Sequence, residues 1–130
     1  MKTALINDRK SLILYTKIAF MQWIPLNDLS QLDQIQQTSY TIPQVIFKHS
    51  TTCSISQMAF ARMERSEAPD TIQFYYLDLL NFRSISNAIA EKFSVSHESP
   101  QILLIKNGAC TFDESHGGIL MDEIIEQAAL

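Results

Sequence analysis

Apolar residues follow two different periods along this chain, and the order of those periods predicts an α/β domain. Compact apolar runs rich in β-branched or aromatic residues predict three core strands, over residues 44–48, 72–77 and 101–105. Apolar residues spaced three and four apart predict three helices, over residues 28–39, 53–65 and 81–93. Strands and helices therefore alternate through most of the chain.

The last part of the chain predicts a hairpin followed by a helix. Asn107-Gly108 is typical of a tight hairpin turn, so residues 110–113 are expected to pair back against the third strand. Gly117-Gly118 is expected to open the final helix. A strand–helix–strand unit, a further helix, a hairpin and a last helix make the thioredoxin arrangement. We therefore predict an α/β, thioredoxin-like fold with a central mixed four-stranded sheet flanked by helices.

Apolar stripes on three of these helices predict which side faces the core. The first helix is expected to bury Leu29, Leu32 and Ile35. The helix that starts at residue 53 is expected to bury Ile55, Met58, Ala59 and Met63. The final helix is expected to bury Leu120, Met121, Ile124, Ile125 and Ala128.

The first 22 residues are predicted to be an N-terminal extension, with the thioredoxin-like domain spanning residues 23–130. Basic residues precede an apolar stretch, as in a signal peptide, but Lys17 interrupts the stretch and no small-residue cleavage site follows. The stretch is also shorter than the roughly 20 apolar residues that a membrane span needs. Three interpretations stay open: a natural start at Met21 that makes residues 1–20 an artefact, a loosely docked extension, or an export signal.

Composition narrows the class of function. Hydrophobic residues make up 46% of the chain and charged residues 18%, which is typical of a globular domain. The net charge is −4 and the ten Lys and Arg residues are scattered, so we do not expect nucleic acid as a partner. We expect no membrane partner either, since the apolar stretch near the start is too short to span one. Two cysteines allow at most one disulfide, which favours a cytoplasmic location over secretion.

Cys53 is the candidate nucleophile because it falls between the first core strand and the following helix. Backbone N–H groups at a helix start are unpaired, and the helix dipole places partial positive charge there, so both favour a thiolate. Lys48 and His49 precede it and are expected to add positive potential. The alternative is a buried structural cysteine, although three hydroxyl residues in a turn rarely precede one.

Ser56 occupies the position where two-cysteine oxidoreductases carry their resolving thiol. A serine cannot form the intramolecular disulfide, so a mixed disulfide on Cys53 must be released by another thiol. This pattern indicates a one-thiol cycle that uses a low-molecular-weight thiol. Cys110 is expected to pack within the hairpin, and strand geometry argues against it as the resolving thiol.

Ser99-Pro100 comes directly before the third strand. Thioredoxin-like sites place a cis proline here, beside the sulfur, and the backbone of the preceding residue can pair with an extended substrate. An X–Pro bond disfavours cis by only about 0.5–1 kcal/mol, so tertiary packing can enforce it. We predict a cis Pro100 and a substrate-facing Ser99, with an ordinary trans proline as the alternative.

Three blocks of sequence, at residues 48–56, 97–101 and 115–119, together resemble the monothiol bacilliredoxins, thioredoxin-like proteins of the bacillithiol redox system. The likeness runs from about Trp23 to the end of the chain. It implies that Cys53 removes bacillithiol from mixed disulfides on client proteins, with a bacillithiol-like thiol as co-substrate and no bound cofactor. Many members carry proline directly after the active cysteine, where this chain has Ser54. The predicted supporting residues are Thr52, Ser54, Ser56, Ser99 and Pro100.

Other sites fit the sequence less well. A phosphatase or arsenate-reductase loop needs arginine where Ala59 stands, and a peroxiredoxin needs proline where Ile46 stands, although Ser50 meets its hydroxyl requirement. The cysteines and histidines lack the close spacing of a structural zinc site, so we expect no metal. His97 and His116 are expected to shape the loops around Cys53. A thiol peroxidase and a non-catalytic adaptor on the same fold remain as alternatives.

Overall fold

The computed structural model describes residues 18–130, and within that range it contains seven strands and four helices. The strands are β1 (Ile18–Phe20), β2 (Trp23–Pro25), β3 (Gln44–His49), β4 (Glu67–Pro69), β5 (Gln73–Asp78), β6 (Gln101–Lys106) and β7 (Ala109–Ser115). The helices are α1 (Gln31–Thr38), α2 (Ser54–Glu64), α3 (Arg83–Phe93) and α4 (Met121–Ala128). Every strand and helix predicted in the core of the chain is present.

The main sheet has the order β2-β5-β3-β6-β7, with β3 at its centre. Strands β2, β5 and β3 run parallel, and β6 and β7 run antiparallel to their neighbours. Within the described residues the sheet has five strands, so the prediction of four is wrong in number. The strand that the sequence analysis did not predict is β2. Its three residues end in proline and are too few to show an alternating pattern.

Both faces of the sheet are covered by helices. Successive residues of β3 point to opposite faces, so Ile46 packs with α1 and α3 while Val45 and Phe47 pack with α2 and α4. Each of these side chains is fully buried, and such burial contributes about 1.5–3 kcal/mol per side chain. The central strand is therefore enclosed on both faces along its whole length.

Several residues predicted to face the core are exposed instead. On α2 the buried stripe is Ser56, Ala59 and Met63, and Ile55 and Met58 lie beside it in solvent with 53% and 64% of their surface exposed. Leu29, Leu120 and Ile125 are also exposed. Helix α4 begins at Met121, not at the glycine pair, because residues His116–Gly118 form a separate 3-10 turn.

The predicted extension over residues 1–22 lies largely outside the described residues. Its described part includes β1, which pairs antiparallel with β4 in a small second sheet. The indole N–H of Trp23 donates to the Glu64 carboxylate, which ties β2 to α2. The division at residue 23 and the origin of the preceding segment stay predictions.

Candidate functional site

Cys53 is the residue that caps the amino end of α2. Its backbone is extended, with φ −103° and ψ 123°, and its sulfur makes no capping hydrogen bond. The Cys53 N–H donates to Ser50 O at 3.2 Å, and its carbonyl accepts from Gln57 N at 2.9 Å. The thiol is free and partly exposed. Cys53 therefore stands at the start of the helix that follows β3, where the sequence places it.

Ser56 lies beneath the turn that carries Cys53. It is fully buried, and its Oγ accepts the Ser50 N–H at 3.0 Å and lies 2.7 Å from His49 Nδ1. One hydroxyl therefore joins the end of β3, the turn and the first turn of α2. Ser56, which stands where other oxidoreductases have a resolving thiol, therefore has a structural role: its hydroxyl holds the turn before Cys53.

His49 sits in an aromatic cluster on the α2 face of the sheet. Its ring centroid lies 4.9 Å from that of Phe60, 5.7 Å from Tyr76 and 5.8 Å from Phe47. Burial lowers the pKa of His49, and the nearby Asp78 carboxylate opposes that shift only in part. The imidazole is therefore neutral at neutral pH, and the expectation that His49 adds positive potential there is wrong.

Lys48 points away from Cys53, into the face covered by α1 and α3. Its side chain is fully buried, and its Nζ lies 3.4 Å from both Ser86 O and His97 Nδ1. Burial lowers the pKa of Lys48 to about 8. Among the described residues, no carboxylate comes within ion-pair distance of this ammonium.

The peptide bond between Ser99 and Pro100 is cis, as predicted. Pro100 is buried, and its carbonyl accepts the His116 N–H at 3.1 Å. Residue Gln101 pairs with Lys48 near the carboxyl end of β3, so the proline lies at the same edge of the sheet as Cys53. Thr52 and Ser54 are exposed on either side of Cys53, and Ser99 is half-buried.

Cys110 lies at the other end of the sheet. It pairs with Ile105, which in turn pairs with Gln44 at the first residue of β3. Cys53 comes four residues after His49, the last residue of the same strand. The distance along β3 from Gln44 to His49 is about 17 Å. A disulfide requires Cα atoms within about 7 Å, so the two sulfurs cannot bond in this fold.

Arg62 holds a turn beside the site, and the sequence analysis assigned it no role. Its Nε donates to Ile119 O and its Nη2 to His116 O, both at 3.2 Å. The guanidinium thereby fixes the turn next to α2. His116 lies on that turn with its Nε2 3.8 Å from Glu98 Oε1, and its role in shaping the loops around Cys53 stays a prediction.

Comparison with known proteins agrees with this geometry. A family model described as monothiol bacilliredoxin matches residues 24–124. The chain belongs to the monothiol bacilliredoxin family. A solved structure described as an oxidoreductase with a thioredoxin fold is 31% identical, covering 80% of this chain and 91% of its own, with a TM-score of 0.66. The predicted family and fold are therefore confirmed.

More distant structures share the fold alone. Thioredoxin from Malassezia sympodialis is 19% identical over 88% of this chain and 96% of its own, with a TM-score of 0.67. Thioredoxin from Trypanosoma brucei brucei is 14% identical over 84% of this chain and 89% of its own, with a TM-score of 0.61. Family and fold together support a thiol redox role for this bacilliredoxin.

Two further properties of residues 18–130 bear on its chemistry. In that range, no three His, Cys, Asp or Glu side chains come together in a way that could hold a metal ion. None of the helices described there is long and apolar enough to cross a membrane.

Proposed function

We propose that this bacilliredoxin removes bacillithiol, or a closely similar low-molecular-weight thiol, from mixed disulfides on cytoplasmic client proteins. Cys53 is its single reacting sulfur. The observation that carries this proposal is Ser56, which fills the position of a resolving thiol with a buried, hydrogen-bonded hydroxyl. Because Cys110 lies at the far end of the sheet, a second thiol must come from outside the chain.

The reaction consists of two thiol–disulfide exchanges. In the first, the Cys53 thiolate attacks the bacillithiol sulfur of the mixed disulfide, and the client protein leaves as a thiolate that takes up a proton. Cys53 is then joined to bacillithiol. In the second, the thiolate of another bacillithiol attacks this bond, which frees Cys53 and releases bacillithiol disulfide. No net electrons are gained or lost, because one disulfide replaces another.

Two features of the site support these roles. Ser99, before the cis proline, lies at the same sheet edge as Cys53, where its backbone can pair with an extended client segment. Thr52 and Ser54 are exposed on either side of Cys53, which is itself partly exposed. A small thiol therefore has room to enter after the client has left.

The test is release of thiol from one client protein prepared with bacillithiol and, separately, with glutathione. With bacillithiol as reductant, the wild-type protein should release bacillithiol, and Cys53→Ser should reduce release to the uncatalysed rate. Cys110→Ser, which removes the distant cysteine and keeps Cys53, is the matched control. Equal rates with glutathione would overturn the thiol assignment. No release from either client would overturn the enzymatic role and favour a non-catalytic adaptor.

A further inference from the structure

Two buried polar side chains lie side by side on β3 and β6, near the Cys53 end of the sheet, and take no part in the exchange steps described above. Lys48 and Gln101 are directly opposite each other on β3 and β6. Opposite residues of an antiparallel pair point to the same face, and here both point to the face covered by α1 and α3. The exposed fraction is 0% for Lys48 and 1% for Gln101. Burying an ammonium and an amide costs free energy unless their polar atoms find partners.

The partners of Gln101 are backbone groups of the loop over residues 94–100. Its Nε2 donates to Ser96 O at 3.0 Å, and its Oε1 accepts the Glu98 N–H at 3.3 Å. This loop joins α3 to β6 and ends in the cis proline. The amide of Gln101 therefore holds the loop from the inside at two points.

The partner of Lys48 in the same loop is His97. The distance from Lys48 Nζ to His97 Nδ1 is 3.4 Å, and the ammonium also contacts Ser86 O on α3 at the same distance. An ammonium has donors only, so Nδ1 must accept, and the imidazole must be neutral. Burial, Lys48 and Arg83 lower the pKa of His97, and only Glu98 opposes them. The exposed His97 ring thus covers the buried ammonium.

Together the two side chains contact three successive residues of one loop, at positions 96, 97 and 98. Ser99 follows immediately, and from the opposite side the loop is held by the bond from His116 N to Pro100 O. A buried ammonium without a carboxylate partner adds little to the stability of a core. Replacing buried charged groups by apolar side chains of similar size often leaves protein stability unchanged or raises it. The contact of Lys48 with His97 indicates that its role is to hold the loop over residues 94–100.

We propose that Lys48 and Gln101 are positioning residues that fix the loop presenting Ser99 to the client. They touch neither the sulfur nor the substrate. This inference rests on the proposed function, because it assigns the affinity for the mixed-disulfide client to the order of this loop. Losing one such contact should weaken client binding about three- to tenfold while leaving the attack by Cys53 unchanged.

The test compares Lys48→Met with the matched control Lys92→Met, which removes a surface lysine of α3 paired with Asp33. The methionine has similar length and no charge, so the fold should persist. In the bacillithiol-release assay, Lys48→Met should raise KM for the client about three- to tenfold with kcat within twofold. Alkylation of Cys53 by iodoacetamide should keep its wild-type rate. Lys92→Met should leave KM, kcat and this alkylation rate unchanged.

A second measurement does not depend on activity. Amide hydrogen exchange in residues 95–99 should be faster in Lys48→Met, with exchange in β3 unchanged. His97→Ala, a substitution at the exposed end of the contact, should act in the same direction if Lys48→Met does not fold. If both loop exchange and KM stay at wild-type values in the folded variants, the inference is wrong. If the wild-type protein releases no bacillithiol, the proposed function is refuted. Amide hydrogen exchange in residues 95–99 then still decides whether Lys48 and Gln101 hold the loop.

Discussion

The two cysteines lie at opposite ends of one sheet, and they differ in the backbone that carries them and in the hydrogen bonds of their thiols. Cys53 begins a helix, is partly exposed, and has a sulfur without a capping hydrogen bond. Cys110 lies within the edge strand β7, where its thiol donates to Phe112 O at 3.4 Å. Burial, the largest cause, raises the pKa of Cys110 to about 11. At neutral pH it is a neutral thiol, and reactivity requires a thiolate.

The Cys53 end of the sheet and the end that carries the β6–β7 hairpin also differ in how many polar side chains they bury. The described residues include eight buried polar or charged side chains, and only Ser39 and Gln44 belong to the hairpin end. The other six lie at the Cys53 end, as Lys48, His49, Ser50, Ser56, Ser86 and Gln101. Burying polar groups costs free energy unless they are paired. Here they are paired, so their concentration at one end indicates that buried hydrogen bonds help to hold the loops around Cys53.

The largest effect that would test this contrast is expected from Ser56→Ala. Removing the hydroxyl leaves the buried Ser50 N–H and His49 Nδ1 without their partner, so the free energy of unfolding should fall by about 1–3 kcal/mol. The measurement is urea unfolding of the variant beside the wild type. Ser54→Ala, at an exposed serine two residues before Ser56, should change the value by less than about 0.5 kcal/mol. Equal values for the two variants would mean that Ser56 does not secure the turn.

The order of elements and the location of Cys53 could be predicted from the sequence because apolar periods and turn residues are local signals. The number of strands could not, since β2 has three residues and depends on pairing with β5. The face of α2 was mistaken because four apolar positions covered two adjacent stripes, and only packing decides that Ala59 and Met63 are buried.

The directions of Lys48 and His49 were also beyond the sequence. Both were expected to act on Cys53 through positive charge, because they are close to it in the chain. Adjacent strand residues point to opposite faces, so one reaches the loop before Pro100 and the other enters the aromatic cluster. The one sign in the sequence that Lys48 has a special role was its place directly after an apolar run. All six residues of that strand are buried in the structure.

A smaller effect is expected in the dependence of stability on pH. The pKa of Lys48 is about 8 in the folded protein and 10.5 in an ordinary lysine, so between these values the unfolded chain binds more protons. The unfolding free energy contributed by Lys48 should therefore rise as pH increases from 8 to 10.5. The difference between wild type and Lys48→Met removes the titration of other groups. A difference that stays flat across this window would show that the ammonium is hydrated.

The smallest effect is expected from Cys110→Ser. Cys110 is separated from Cys53 by the length of β3 and is kept as a neutral thiol, so the bacillithiol-release rate should stay within about twofold of wild type. Serine retains a donor for Phe112 O, which limits the change in stability. In native wild-type protein at pH 8, iodoacetamide should label Cys53 alone, and Cys110 should react only after unfolding. If Cys110→Ser instead accumulates as a mixed disulfide despite excess external thiol, Cys110 reaches Cys53 during turnover, and the one-thiol cycle is wrong.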